Sequence, residues 1–416
     1  MKNELALWLR QRRAATGRPA CAYAYDLAGM REHAAGMAAA LPERARLFYA
    51  IKANPDPRVI KALLPHVAGF EVASAGELRT VREVSADVPV LFGGPGKKDQ
   101  ELLEAIRLGV THLHVESVLE LRKLLLYANE RKRTMSVLLR VNLRSDALPR
   151  TNISMGGMAT PFGIDETRLA EAIALVRDPG NGYVRLDGFH FHSLSNNPDA
   201  RLHAEMIELY LSKAQEWGET YGVVVRVVNA GGGFGVSYDG TPNFDWPLFA
   251  DLLSRSRAVR ELGDTALFFE PGRLLVADYG YYAAEVVDVK SSHGREFAVI
   301  RGGTHHNRLP ASWGHDHPFH IVPVEEWAYP FERPSVERGR VTIVGELCTP
   351  KDRLHTDAEV ERLRVGDIVV FEKSGAYGWT ISHRDFLGHP YPEFLYFGED
   401  VGAERGEAAK TGGVAR

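Results

Sequence analysis

The sequence predicts an α/β protein in which a closed (β/α)8 barrel is followed by a smaller β domain, built as a sandwich or a barrel. Over the first three-fifths of the 416 residues, short β-rich runs alternate with stretches of helical periodicity. Eight such runs fall within about 230 residues, which matches the size and strand number of a (β/α)8 barrel. After residue 275 the runs alternate in polarity and no long helical pattern separates them, as expected of a β domain.

The N-terminal segments are assigned to the β domain. The opening run MKNELALWLRQRR has a short apolar patch interrupted by Glu4, so it predicts an amphipathic helix rather than a signal peptide. The segment Ala20–Asp26 precedes the first barrel run and could add a strand to the β domain.

The barrel strands follow in order along the chain. They are predicted at Arg46–Lys52, Gly69–Ser74, Pro89–Gly94, His112–Ser117, Ser136–Leu143, Arg185–Leu194, Val223–Gly232 and Ala266–Arg273. The connector SAGELRTVREV begins with the spacing of a capping box, formed by Ser74 and Glu77. A doubly wound sheet is the alternative fold, but the glycine run at 231–235 lacks the dinucleotide fingerprint because Val236 replaces its last glycine.

The β domain completes the chain. Its strands are predicted at Tyr281–Ser292, Arg295–Gly303, Arg340–Thr349 and Asp367–Ser374. We therefore expect the barrel at residues 27–275 and the β domain at residues 1–26 and 276–397. Residues 398–416 are rich in Gly, Ala, Glu and Lys, which predicts a flexible tail.

Composition excludes several classes of protein. Hydrophobic residues make up 45% and charged residues 25%, as in ordinary globular proteins. A net charge of −4 lacks the positive excess of a nucleic-acid binder, and no apolar run reaches the roughly 18 residues of a membrane helix. The two cysteines, Cys21 and Cys348, lie far apart, which excludes a disulfide framework or a Cys-rich zinc site and favours a cytoplasmic location.

The candidate active site lies at the barrel mouth, because barrel enzymes place their chemistry at the C-terminal ends of the strands. Lys52 ends the first run, where enclosure would lower its pKa and suit Schiff-base chemistry, although a solvated lysine is the alternative. The seventh and eighth runs end in Gly231–Gly233 and Gly272-Arg273, whose backbone N–H groups and guanidinium could bind a phosphate. A tight turn would explain the three glycines equally well. Together, a Schiff-base lysine and a phosphate site indicate pyridoxal phosphate.

Two further strand ends fit this cofactor. Glu270 could face the pyridine nitrogen and keep it protonated, which makes the ring the strong electron sink that decarboxylation needs. His190 and His192 share one strand face, so His192 could stack on the ring, and Ser195 could donate to the phosphate. The His-x-His pattern also suggests a metal-dependent hydrolase, the competing enzyme class. We expect no metal, since such barrels usually take their His-x-His from the first strand and further His or Asp ligands from later ones, whereas the first and eighth runs here offer Lys52 and Glu270.

Several segments in this order resemble the fold-type III pyridoxal-phosphate decarboxylases, the family of diaminopimelate, ornithine and arginine decarboxylases. The matching segments are YAIKAN, FEVASAGEL, HFHSLS, GGGFG, EPGR, GELC and SGAYG. The resemblance runs from about Ala20 to Phe397, and it implies an alanine-racemase-like TIM-type barrel with pyridoxal 5'-phosphate as the cofactor.

The resemblance also implies roles for individual residues. Lys52 would carry the cofactor, and Cys348 would donate a proton in the active site of a partner subunit, within a head-to-tail homodimer. A buried structural thiol is the alternative for Cys348. The implied cofactor-binding residues are Lys52, His192, Ser195, Gly231, Gly232, Gly233, Glu270, Gly272, Arg273 and Tyr377.

The segment after Cys348 points to the substrate. Diaminopimelate decarboxylases carry an acid there that contacts a distal ammonium group, whereas this chain has Thr349-Pro350-Lys351-Asp352. HHNRLPASWGHDHPF and SHRDFLGHPYP resemble siderophore-pathway decarboxylases of the staphyloferrin B and achromobactin types. The resemblance implies a carboxylate-bearing conjugate, such as a citryl-diaminopropionate-type compound. The expected substrate contacts are Arg273, Arg308, Trp313, Lys351 and Asp352, with His305, His306, His315 and His317 as nearby hydrogen-bond donors.

Three alternative functions remain open from the sequence. The chain also resembles the butirosin-pathway enzyme that decarboxylates a carrier-bound glutamyl group, and diaminopimelate decarboxylation in lysine biosynthesis is the second alternative. A homologue that binds the cofactor without decarboxylase activity is the third. We expect a cytoplasmic homodimer that acts on a small molecule and has no nucleic-acid or membrane partner.

Overall fold

The computed structural model describes residues 2–144 and 159–399. The strands are β1 (Cys21–Asp26), β2 (Ala45–Ala50), β3 (Gly69–Val72), β4 (Val90–Phe92), β5 (His112–Val115), β6 (Met135–Asn142), β7 (Ile164–Asp165), β8 (Val184–His190), β9 (Val227–Asn229), β10 (Ala266–Phe269), β11 (Gly280–Ser292), β12 (Arg295–Ile300), β13 (Phe319–Val322), β14 (Ser335–Val344), β15 (Arg353–Arg364), β16 (Ile368–Phe371) and β17 (Glu393–Phe397). The helices are α1 (Lys2–Thr16), α2 (Leu27–Ala40), α3 (Pro57–Leu63), α4 (Ala75–Val84), α5 (Asp99–Leu108), α6 (Val118–Arg131), α7 (Leu169–Val176), α8 (Ala200–Tyr221), α9 (Trp246–Arg255), α10 (Arg257–Arg260), α11 (Arg273–Val276) and α12 (Leu309–Trp313).

Eight parallel strands close into a barrel. Their order is β5-β4-β3-β2-β10-β9-β8-β6, and β5 also pairs with β6, which closes the ring. The predicted (β/α)8 barrel is therefore confirmed. The strands end one to four residues earlier than predicted; β2 stops at Ala50 and β10 at Phe269. Lys52 and Glu270 consequently lie in the turns just beyond their strands rather than at the strand ends.

Burial explains why these short segments form strands. All four residues of β3 are buried, as is typical of a parallel sheet that helices cover. The following helix α4 begins at the predicted cap, where the Ser74 side chain accepts a hydrogen bond from the Glu77 N–H at 3.2 Å. Glu77 accepts a hydrogen bond from the N–H of Ala73 at 2.7 Å rather than from that of Ser74.

The second sheet is mixed, with the strand order β13-β16-β11-β12-β14-β15. Strand β1 pairs antiparallel with β11 and parallel with β17, which confirms that the segment before the barrel adds a strand to the β domain. Helix α1 buries Leu5 and Leu9 against this sheet, as its amphipathic pattern predicts. The domain boundaries stay a prediction, and residues 1 and 400–416, including most of the expected tail, lie outside the described residues. Within the described part of the chain, no helix has the length and apolar character needed to span a membrane.

The acid stability of the barrel should depend on His203. This side chain of α8 is 3% exposed, its ring centroid lies 4.3 Å from that of Phe234, and burial lowers its pKa to about 3. Between this pKa and the ordinary value of 6.5, the unfolded state binds a proton that the folded state does not. The free energy of unfolding should therefore fall as the pH falls through this window. Urea titrations measure the decrease in the free energy of unfolding between pH 7 and pH 5. This decrease should be about 2 kcal/mol smaller in His203→Phe than in the wild type.

An exposed histidine provides the control for this measurement. His293 lies exposed in the turn between β11 and β12, so His293→Asn should leave the pH dependence as in the wild type. An unchanged pH dependence in His203→Phe would show that burial does not suppress the titration of His203.

Candidate active site

A cavity of about 330 Å³ lies at the C-terminal ends of the barrel strands. Its volume falls within the range of roughly 300–1,000 Å³ found for small-ligand pockets. The residues predicted from the sequence that line it are Lys52, His192, Ser195, Gly232, Gly233, Glu270, Gly272, Arg273 and Tyr377. Gly231 is buried nearby, and its N–H already donates to Oδ1 of Asn229 at 2.9 Å. The structure thus brings residues from distant parts of the chain to one cavity.

Lys52 stands on one wall of this cavity. It lies in a single 3-10 turn, Ile51–Ala53, and its Nζ is 3.1 Å from Oε2 of Glu71. Enclosure by the walls opposes the charged form, but the carboxylate of Glu71, the Tyr377 phenol and the carboxylate of Glu270 raise the pKa of Lys52 above its ordinary value. The lowered pKa expected from enclosure alone is therefore wrong for this arrangement, because the neighbouring carboxylates outweigh burial.

Glycines from the loops after β9 and β10 form another part of the cavity wall. Gly233 has a φ of +94°, and a Cβ on it would lie 2.3 Å from the carbonyl oxygen of Leu194. The N–H of Gly232 donates to Nδ1 of His192 at 3.1 Å, so the ring hydrogen of neutral His192 is on Nε2. Burial, followed by the charges of Arg140 and Lys52, lowers the pKa of His192 well below 6.5. A neutral, oriented imidazole therefore faces the cavity.

Arg273 is held rigidly at the same end of the cavity. It follows Gly272 at the start of α11 and is 8% exposed. Its Nη1 donates to the hydroxyl of Tyr238 at 3.0 Å. Its guanidinium carbon also lies 4.0 Å from the ring centroid of Trp313 and 4.6 Å from that of Tyr377. These contacts place a fixed positive charge beside the glycine backbone, which suits an anionic group such as a phosphate.

Two charged residues of the cavity were not predicted from the sequence. Glu71 pairs with Lys52, and burial raises the pKa of Glu71 although Lys52 opposes this. Arg140 lines the cavity, and its Nη1 is 2.8 Å from Oε1 of buried Glu116. Both Glu71 and Arg140 lie in strands whose other residues are mostly apolar. A single charge inside such a buried strand is the signal that could have identified them.

Glu270 also lines the cavity. Its Oε1 accepts a hydrogen bond from Nδ2 of Asn229 at 2.6 Å, and its Oε2 is 3.5 Å from Nε2 of His190. His114 completes a group of three side chains that could in principle hold a metal ion. The rings of His114 and His190 are stacked, with centroids 4.1 Å apart and an angle of 29° between their planes. Such rings direct their nitrogen lone pairs side by side rather than toward one point, which disfavours metal binding.

A second cavity of about 900 Å³ holds the predicted substrate residues Arg308 and Lys351. Arg353, His315 and His383 also line it, and Asp316 is an acid of its lining. The ring centroid of His315 is 4.5 Å from that of Tyr238, the residue that bonds Arg273. Trp313 stacks on Arg273 from helix α12. These aromatic rings therefore lie in contact between the second cavity and Arg273, which lines the first cavity.

Other predicted residues occupy different positions. Asp352 is 1% exposed, and its carboxylate accepts hydrogen bonds from Thr304 and from the N–H of Leu347, so it holds this loop instead of facing a substrate. Cys348 is exposed and free, which excludes the buried structural thiol, and it is not among the described residues that line the first cavity. Of the four loop histidines, His315 lines the second cavity, whereas the others are fully buried: His305, His306 and His317.

Comparisons with known proteins bear on the chemistry of this site. The family model described as "Pyridoxal-dependent decarboxylase, pyridoxal binding domain" matches residues 27–277. A 2-((L-alanin-3-ylcarbamoyl)methyl)-2-hydroxybutanedioate decarboxylase of Staphylococcus aureus is 42% identical over 92% of this chain and 95% of its own length. An L-glutamyl acyl-carrier-protein decarboxylase of Niallia circulans is 32% identical over 89% of this chain and 87% of its own.

Solved structures show the same fold. The diaminopimelate decarboxylase of Helicobacter pylori complexed with L-lysine matches with a TM-score of 0.81 at 24% identity, covering 93% of each chain. The lysine/ornithine decarboxylase of Vibrio vulnificus complexed with putrescine matches with a TM-score of 0.77 at 21% identity, covering 95% of this chain and 98% of its own.

Proposed function

Because the chain belongs to the pyridoxal-dependent decarboxylase family, we propose that it removes the α-carboxylate of an amino-acid conjugate that carries further carboxylates. The family, the decarboxylase activity and the cofactor predicted from the sequence are confirmed by this membership. The protein is a carbon–carbon lyase whose cofactor is pyridoxal 5'-phosphate. When bound, the cofactor supplies an electron sink for the electron pair left by the departing carbon dioxide.

The first cavity is our proposed cofactor site. Lys52 would bind the cofactor through Nζ, and Arg273 with the glycine backbone would bind its phosphate. Close backbone packing requires glycine at both positions, because a Cβ would lie 2.3 Å from a backbone oxygen at Gly233 and 3.0 Å from one at Gly272. His192 would lie against the ring, and Glu270 would accept a hydrogen bond from the protonated pyridine nitrogen.

The proton for the product would come from a second subunit. We assign this role to Cys348, whose thiol is exposed on a loop of the β domain and lies apart from the lining of its own cavity. A head-to-tail homodimer would bring Cys348 of the partner subunit to the cofactor bound at Lys52. The dimer is part of this proposal, and the cytoplasmic location stays a prediction from the sequence.

The lining of the second cavity is the observation that carries the substrate assignment. Its cations Arg308, Lys351 and Arg353 are exposed, and charge-assisted hydrogen bonds from such groups recognise carboxylates. Burial lowers the pKa of His315 to about 4, with a further lowering by the charge of Arg273 and an opposing effect of Asp316. His315 is therefore a neutral hydrogen-bond donor near pH 7. The Staphylococcus aureus relative is named for a hydroxybutanedioate that is joined through an amide to an alanine unit. A compound of this kind places an amino acid at one end and carboxylates at the other.

Two related substrates are the alternatives. A carrier-bound glutamyl group would match the relative from Niallia circulans at 32% identity, and diaminopimelate would match an Aquifex aeolicus decarboxylase at 27%. The distal end of diaminopimelate carries an ammonium group as well as a carboxylate, so the cations of the second cavity would attract it less than a group with carboxylates alone. The oxygen Oδ1 of Asp316 is already engaged by the N–H of Thr356 at 2.8 Å. The lining therefore favours a polycarboxylate.

A carbon dioxide release panel should identify the substrate class. We expect a citryl-diaminopropionate-type conjugate to give a higher kcat/KM than meso-diaminopimelate, lysine, ornithine, arginine or carrier-bound glutamate. Lys351→Glu should lower kcat/KM for the conjugate by about tenfold or more, the effect of losing one charge-assisted hydrogen bond. It should lower the value for basic amino acids less, because the new carboxylate attracts a distal ammonium group.

A surface lysine gives the matched control for this charge reversal. Lys290 is exposed on β11 and pairs with Asp288, so Lys290→Glu should leave all rates unchanged. Highest turnover of meso-diaminopimelate or another basic amino acid would contradict the substrate assignment, while the decarboxylase activity itself would stand.

A further inference from the structure

Asn229 lies beneath the cofactor cavity and uses its whole carboxamide. It ends β9, is 0% exposed, and donates from Nδ2 to Oε1 of Glu270 at 2.6 Å. Its Oδ1 accepts a hydrogen bond from the N–H of Gly231 at 2.9 Å, which fixes the orientation of the amide. Nδ2 is also 3.2 Å from Nε2 of His114. One side chain therefore connects the glycine turn with the carboxylate of Glu270.

The neighbouring histidines add no positive charge beside the carboxylate of Glu270. His114 and His190 lie 3.7 Å and 3.5 Å from its two carboxylate oxygens. Burial lowers the pKa of both imidazoles well below 6.5, with further lowering by neighbouring positive charges, so both rings are neutral. Among the described residues, Asn229 alone donates a hydrogen bond to this carboxylate over a distance shorter than 3.5 Å. Its contribution is to orient Glu270 without neutralising it.

The glycine turn and Glu270 are also joined through the backbone. The N–H of Glu270 donates to the carbonyl oxygen of Gly231 at 2.7 Å. A Cβ on Gly232 would lie 2.5 Å from the carbonyl oxygen of Glu270, so the two loops are in close contact. The side chain of Asn229 adds a second link between the same two loops. A displacement of the glycine turn would thus change the position of the carboxylate.

We propose that Asn229 is a positioning residue that fixes the carboxylate of Glu270 toward the ring nitrogen of the cofactor and sets its distance from the phosphate-binding glycines. This inference rests on the proposed assignment of Glu270 to the ring nitrogen. Asn229 holds Oε1, which leaves Oε2 to accept the N–H of the pyridine ring. Without this bond the carboxylate can rotate, and its buried charge loses a hydrogen bond that stabilises it.

The test compares two ligands that differ only at the ring nitrogen. Binding of pyridoxal phosphate and of its 1-deaza analogue, which has carbon in place of that nitrogen, is measured on the apoprotein by tryptophan fluorescence. The wild type should bind pyridoxal phosphate about tenfold or more tightly than the analogue, as expected for a hydrogen bond to a charged group. Asn229→Leu should reduce this ratio by about tenfold and leave the affinity for the analogue within about twofold.

Two further variants make the result specific. Asn229→Ser retains an oxygen for Gly231 but is too short to reach Glu270, so it should lose the same discrimination and serves if the leucine variant fails to fold. Asn181 donates to the carbonyl oxygens of Val176 and Val184 at 2.6 Å and 2.8 Å, away from the cavity. Asn181→Leu therefore controls for the loss of partly buried side-chain hydrogen bonds to the backbone and should keep the wild-type ratio.

The possible failures can be told apart. A wild type that binds both ligands equally would contradict the assignment of Glu270 to the ring nitrogen. A wild type that discriminates, together with Asn229 variants that discriminate equally or lose both affinities in parallel, would overturn the positioning role of Asn229. A parallel loss would indicate a structural role for the glycine turn.

Discussion

Lys52→Ala should abolish decarboxylation. In the proposed site this residue would both anchor the cofactor and carry the amine that exchanges with that of the substrate, so its loss would remove covalent chemistry as well as proton transfer. We expect kcat to fall by at least about 10²–10⁴-fold, the range for a group that acts in proton transfer alone. The closeness of Nζ to Glu71, at 3.1 Å, provides a neighbouring carboxylate that stabilises the lysine while it is charged.

Borohydride reduction gives a direct measurement of this anchor. The wild type should retain the reduced cofactor on a peptide that contains Lys52, and Lys52→Ala should retain none. Lys97 is the control, because its side chain is 2% exposed and its Nζ contacts Glu120 and donates to two backbone oxygens. A label on Lys97, or on any lysine other than Lys52, would contradict the assignment.

Mixing two inactive variants should restore activity. Lys52→Ala and Cys348→Ala each remove one half of the proposed composite site. Random exchange of subunits would produce mixed dimers in which one of the two sites is intact, with recovery of roughly a quarter of the wild-type activity. The assay is carbon dioxide release before and after mixing, with subunit exchange followed by mass labelling.

The control for this experiment keeps both changes in one subunit. The wild type is mixed with the double variant Lys52→Ala/Cys348→Ala. In a mixed dimer, each composite site then carries one of the two changes. Exchange therefore creates no new intact site and cannot raise activity above that of the added wild type. If exchange is complete and the single variants stay inactive together, Cys348 does not act across a subunit interface.

The barrel could be predicted from the sequence because its strands are short, apolar and regularly spaced. The strand ends could not, since YAIKAN continues the apolar run of β2 through Ile51 although the backbone has already turned. Strand β15 was not predicted, because most of its side chains are charged or polar and its buried residues are few: Leu354, Ala358, Val360 and Leu363.

The candidate site was predictable where residues at several strand ends together indicate one cofactor. Lys52 and the glycine run fall into this class, as does Glu270 beside a predicted phosphate site. Asp352 does not, because proximity to Cys348 in the sequence gives no information on which way its carboxylate points. Its three hydrogen bonds within the loop depend on Thr304 and Leu347, and that tertiary contact is invisible in the local sequence.

The aromatic contacts of Arg273 would link the affinity for the cofactor to the association of the barrel with the β domain. Arg273 belongs to the barrel, whereas Trp313 and Tyr377 come from the β domain and stack on its guanidinium. The N–H of Tyr377 also donates to the carbonyl oxygen of Ala53 at 2.7 Å, one residue from Lys52. The proposed phosphate site therefore depends on residues from both the barrel and the β domain. By mass action, a ligand bound at this site would also favour the arrangement in which Trp313 and Tyr377 contact Arg273. In the proposed site, the cofactor would therefore stabilise the association of the two domains in addition to its chemical role.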